Sequence, residues 1–114
     1  MKNINLKIYQ MKHDETTRDK KFFDIDECVK SVNLDDYYLM YEMKIVDTID
    51  GDVYSMLDNI RFMFNGVIKF KGHSLSVSDI IELDGIAYYI QGFGFKKVDL
   101  NGFAEDRIAL GFPR

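Results

Sequence analysis

Within eight residues, Gly72-His73-Ser74-Leu75-Ser76-Val77-Ser78-Asp79 gathers an imidazole, three hydroxyls and a carboxylate, the groups from which a nucleophilic hydrolase is built. That chemistry needs a base within hydrogen-bond reach of the nucleophile and an orienting group behind the base. Neighbours along an extended chain rarely point at one another. The spacing therefore predicts a structural role, with Ser76, Ser78 and Asp79 bonding local backbone to fix the entry into the strands that follow. No catalytic residue is assigned, and the chain is read as a non-enzyme. Metal chemistry is equally unsupported: His13 and His73 are far apart, Cys28 stands alone, and Asp35-Asp36 lacks the pattern of a calcium loop. Gly92-Phe93-Gly94 lacks the third glycine and the helix of a phosphate loop and reads as a bend. No cofactor or metal is predicted.

The elements around these residues follow from periodicity. Ile4, Leu6 and Ile8 alternate with Asn5, Lys7 and Tyr9 as in a half-buried strand, and the polar stretch 12–21 reads as a loop. Asp24 precedes Ile25, Cys28, Val29 and Val32, a helical stripe that predicts a short amphipathic helix with Cys28 as a buried core thiol. Alternation returns from Tyr37 to Val46, placing Tyr37, Leu39, Tyr41, Met43 and Ile45 on one face. Asp50-Gly51-Asp52 supplies a turn and a cap for a helix carrying Val53, Met56, Leu57, Ile60, Met63 and Phe64, which Asn65-Gly66 ends. Asp84-Gly85 between Ile80-Ile81-Glu82-Leu83 and Ile86-Ala87-Tyr88-Tyr89-Ile90 is a strong hairpin signal. Phe95 to Val98 forms a further short strand, and Ile108, Leu110 and Phe112 fit an edge strand. The fold expected is α+β, a small curved antiparallel sheet of about five strands with two helices on one face, forming a single domain over 1–114.

Composition bounds the function. At 114 residues and 46% hydrophobic the chain suffices for one core, and it contains no apolar run long enough to span a bilayer. The alternating N-terminus lacks the hydrophobic stretch of an export signal and the one cysteine forms no internal disulfide, so a cytoplasmic location is expected. The net charge of −4 disfavours general duplex binding. Its distribution is lopsided: between Asp24 and Asp58 ten acids face two bases, Lys30 and Lys44, whereas from Gly66 onward six acids balance six bases. Of the tyrosines at 37, 38, 41, 88 and 89, about two thirds are expected to fill the core.

The run from Phe70 to Leu83, with Tyr88-Tyr89-Ile90 and Gly94-Phe95-Lys96-Lys97-Val98, resembles the YodL-like domain, as do Ile8-Tyr9-Gln10, the strand from Tyr38 to Glu42 and the helix ending in Phe64-Asn65. The resemblance implies a setting in phages and conjugative elements of Firmicutes, sometimes beside anti-restriction modules, and brings no catalytic residues. Joined to the acidic segment, it implies a protein-binding domain of a mobile genetic element. That domain would be a counter-defence inhibitor, of the anti-CRISPR or anti-restriction type, that occludes a host nuclease with a basic nucleic-acid channel. Asp35, Asp36, Asp47, Asp50 and Asp52 are the expected partner-binding face, and charge reversal at Asp35, Asp36, Asp50 and Asp52 is expected to abolish binding while leaving the fold intact. The alternative is a nucleic-acid accessory protein using Lys69, Lys71, Lys96, Lys97 and Phe93.

Overall fold

The computed structural model describes residues 2–47, 52–67 and 75–106. Strands β1 (Lys2–Met11), β2 (Ser31–Asn33), β3 (Tyr37–Asp47), β4 (Ile80–Leu83), β5 (Ile86–Ile90), β6 (Phe95–Asn101) and β7 (Glu105–Asp106) form one mixed sheet in the order β2-β6-β5-β4-β1-β3-β7. The β2–β6 and β3–β7 pairs are parallel and the others antiparallel. One α-helix, α1 (Val53–Phe62), continues into a π turn at Met63–Val67. The α+β class holds. The five-stranded antiparallel sheet with two helices is corrected to a seven-stranded mixed sheet with one α-helix among the described residues.

Chain connectivity requires this sheet to curl. β2 stands at one end of the order and β3 next to the other end, yet only Leu34–Asp36, a 3₁₀ turn, joins them. Five strand intervals in a flat sheet would separate them by roughly 24 Å, whereas four residue steps reach at most roughly 14 Å. The sheet must therefore roll until its two ends approach. A bulge assists: Ile8 pairs with Tyr41 and Tyr9 with Leu39, leaving Met40 as the extra residue. The face expected to hold Tyr37, Leu39, Tyr41, Met43 and Ile45 together is thereby split. Tyr37 and Leu39 turn inward to one cluster, Tyr41 and Ile45 pack into the other, and Met43 is partly exposed.

The two faces are closed differently. On the first, Met56, Leu57 and Ile60 of α1 and Phe64 beyond it pack on Leu6, Ile8, Ile81, Tyr88 and Ile90, with the Phe64 ring edge-on to Tyr41 at 4.9 Å. Asp52 caps α1, its Oδ1 accepting the Ser55 N–H at 2.8 Å. On the second, Tyr9, Met11, Tyr37, Tyr89 and Val98 are covered by the loop between β1 and β2, with Ile25 and Val32 packed at its edge.

The helix expected from Asp24 to Val32 does not form. Asp24 Oδ1 accepts the Gly92 N–H at 2.6 Å, and Asp26 Oδ1 accepts the Cys28 N–H at 2.8 Å. Gln91 bonds both backbone groups of Ile25 through its side-chain amide. These side-chain bonds replace the helical ladder, Val32 enters β2, and Cys28 is exposed rather than buried. Asp84 (φ +49°) and Gly85 (φ +86°) make the hairpin turn as expected, β6 runs on to Asn101, and four of the five singled-out tyrosines are buried. The edge strand expected at Ile108, Leu110 and Phe112 lies outside the described residues. Among those described, no helix is long and apolar enough to cross a membrane.

Candidate functional site

The turn that precedes β4 is the anchor of the loop between β1 and β2. Asp79, fully buried, accepts the Gln10 amide at 3.1 Å and the Ser76 N–H at 3.0 Å on Oδ2, while its carbonyl accepts the Ile90 N–H at 2.9 Å. Ser78 sits at φ +84°, its N–H donating to the Ile90 carbonyl and its own carbonyl accepting the Tyr37 hydroxyl at 2.7 Å. The local backbone role expected of this segment holds for Asp79. Ser78 does more, since its Oγ accepts the N–H of Phe22, itself at φ +71°, across 56 residues of sequence. Two left-handed non-glycine residues are thus locked to one another, a strained arrangement that the surrounding bonds must hold. Lys21 donates to the Met11 carbonyl and lies 4.9 Å over the Phe22 ring, burial depressing its ammonium pKa while the Asp79 charge opposes that shift.

Tyr37 and Tyr89 complete the anchor, Tyr89 donating to the Phe23 carbonyl at 2.7 Å. Burial pushes both phenols well above the ordinary tyrosine range, and neighbouring charge at Asp79 adds to it in each. A folded-state pKa above the unfolded value stabilises the fold fully below the unfolded pKa of about 10 and loses that contribution as pH rises beyond it. Stability is therefore expected to fall above pH ~10 by up to about 1.4 kcal/mol per pH unit for each such tyrosine. Urea titrations at pH 9 to 11 should show a shallower fall for Tyr37→Phe than for the parent, and parallel curves would contradict this.

Between loop and rolled sheet lies a groove of about 400 Å³. Its floor is apolar, from Met11, Val29, Val32, Tyr37 and Tyr89, and its walls carry Asp19, Asp24, Asp26 and Asp36 against one base, Lys20. The Lys20 ammonium is ion-paired with Asp36 at 2.9 Å. The bond from the Cys28 N–H holds the Asp26 carboxyl below the usual carboxylate range. Of the exposed aromatic side chains, Phe23 lines the groove. Phe93 is 100% exposed and Phe23 59%, each one residue from the Asp24–Gly92 bond. Phe103 is 90% exposed, and its N–H donates to Asp35 Oδ1 beside the turn that supplies Asp36.

The expected acidic face is divided. Asp35 and Asp36 lie in the 3₁₀ turn at the start of β3 and Asp47 at its end, roughly 36 Å away at the rise of an eleven-residue strand. Asp52 is the helix cap, and Asp50 lies outside the described residues. The fold instead brings Asp36 together with Asp19, Asp24 and Asp26, none of which belongs to the expected partner-binding face. Of the basic set, Lys69 and Lys71 lie outside the described residues, as does His73. Lys96 donates to the Glu27 carbonyl at 2.9 Å, Lys97 is exposed on the opposite side of β6, and Phe93 projects from the bend before them. Among the described residues, no three His, Cys, Asp or Glu side chains are grouped to hold a metal ion.

Neither the curated proteins nor the solved structures yielded a match to the chain. A family model described as "YodL-like domain" matches residues 5–100, which include β2 to β5 whole, β1 from Asn5, β6 as far as Leu100, and the turn that anchors the loop. With most of its length matched, the chain belongs to the YodL-like domain family.

Proposed function

We propose that this chain is a protein-binding domain whose partner-facing surface is the groove together with the exposed side chains of Phe23, Phe93 and Phe103. The observation that carries this reading is the exposed Phe23 ring in the lining of an apolar-floored groove, with Phe93 and Phe103 the most exposed large apolar side chains among the described residues. Exposed apolar surface rimmed by polar groups marks interaction sites, and aromatic anchors dominate their energetics. The acidic walls, and the ten acids between Asp24 and Asp58, favour a basic partner. A host nuclease with a basic nucleic-acid channel is the partner class we propose, with occlusion of that channel as the mode of inhibition.

The test is affinity capture from lysate of the organism that carries the gene, with wild type and a Phe23→Ser/Phe93→Ser variant compared side by side. A specific protein is expected with the wild type and lost with the variant, at a cost of about 2 kcal/mol per aromatic anchor. Equal capture by both would overturn the reading. A second reading, single-stranded nucleic-acid binding, is favoured by the full exposure of Phe93 ahead of Lys96 and Lys97. It requires nuclease-sensitive, salt-dependent retention that is lost in Lys97→Ala.

A further inference from the structure

We infer that the groove under the loop between β1 and β2 is a receptor for an arginine side chain presented by the partner protein. The inference rests on the protein-binding reading and names what the groove takes. Its volume of about 400 Å³ falls within the roughly 300–1,000 Å³ of ligand pockets. Its chemistry is two-part: a floor that takes an aliphatic stem, and carboxylates at the walls that take a cation. The lining carries four carboxylates and a single ammonium, and that ammonium is already committed to Asp36. An anionic or neutral occupant would leave this charge uncompensated.

The carboxylates are held in place without being used up. Asp24 is fixed by the Gly92 N–H and Asp26 by the Cys28 N–H, each bond engaging one oxygen of a group with about four acceptor positions. Preorganised acceptors of this kind suit a forked donor. Arginine fits better than lysine because its planar guanidinium binds carboxylates through two parallel bonds and stacks on aromatic rings, and Phe23 lines the same groove. Tyr89 contributes to the floor while bonding the Phe23 carbonyl, so the ring at the rim and the floor are mechanically joined.

The test titrates the whole chain with a short extended peptide carrying two arginines, and with the same peptide carrying citrulline, a neutral isostere of arginine. Amide NMR shifts at Val29 and Val32 report occupancy. The arginine peptide is expected to shift them, with an affinity that falls as salt rises, and the citrulline peptide to bind at least about tenfold more weakly. Asp24→Asn/Asp26→Asn keeps oxygens for the Gly92 and Cys28 amides while removing two charges, and is expected to lose about as much. Equal binding of citrulline and arginine peptides, an unaffected double variant, or no shifts at millimolar peptide would each overturn the proposal. The two readings separate in the capture experiment. A partner retained by Asp24→Asn/Asp26→Asn but lost by Phe23→Ser/Phe93→Ser leaves the protein-binding reading standing and removes the arginine receptor. Arginine-specific binding with no captured protein does the reverse.

Discussion

An Asp79→Ala variant is expected to lose about 2–5 kcal/mol of unfolding free energy, the cost of leaving two hydrogen-bond donors without their acceptor. Asp79 is fully buried, and its side chain serves the Gln10 amide and the Ser76 N–H. Truncation leaves both donors without that acceptor, at about 1–3 kcal/mol for each group so stranded. It also removes the negative charge that favours the ammonium of Lys21. Asp79→Asn keeps an acceptor oxygen, so a loss of about half that size is expected. Urea unfolding should show a lower midpoint at unchanged slope for both variants. A loss below about 1 kcal/mol for Asp79→Ala would mean that the turn is not the anchor. Because the Phe22–Ser78 bond hangs on the same turn, the groove should loosen together with the fold.

Leu57→Ala is the second large effect, about 3 kcal/mol and within the range of 2–5 kcal/mol for buried leucines. Leu57 is wholly buried on α1, between Met56 and Ile60 and against the strand residues of the first core cluster. A helix of ten residues is marginal alone in water, so its stability comes from this contact. Asp58→Ala, exposed on the opposite side, should change stability by no more than about 0.5 kcal/mol. Chemical denaturation of the two variants in parallel decides it. A similar loss for both would show that the helix is held by something other than its apolar stripe.

Much of the scaffold was legible because its signals are local. Alternation located β1 and β3, Asp84-Gly85 located the hairpin, and the stripe from Val53 to Phe64 located α1 together with its cap at Asp52. Local signals failed where a residue's partner is distant. Ile25, Cys28, Val29 and Val32 have helical spacing, but Asp24 Oδ1 accepts the N–H of Gly92, 68 residues on, in place of a helix N–H, and Gln91 takes both backbone groups of Ile25. The bulge at Met40 likewise obeys no pattern in β3 itself, since it arises from the register with β1.

The candidate site lay further still from the sequence. The charge imbalance between Asp24 and Asp58 is written in the chain, and so are the phenylalanines at 22, 23, 93 and 103. Which carboxylates share a surface is not written there, because that depends on rolling the sheet until β2 meets the start of β3. That rolling collects Asp36 with Asp19, Asp24 and Asp26, while the length of β3 keeps it from Asp47. Periodicity determines which face of an element is apolar, because side-chain direction repeats every two or 3.6 residues. Closure of the sheet and the seating of its covering loop are decided by strand pairing and by hydrogen bonds between distant residues, and no window along the chain contains both partners.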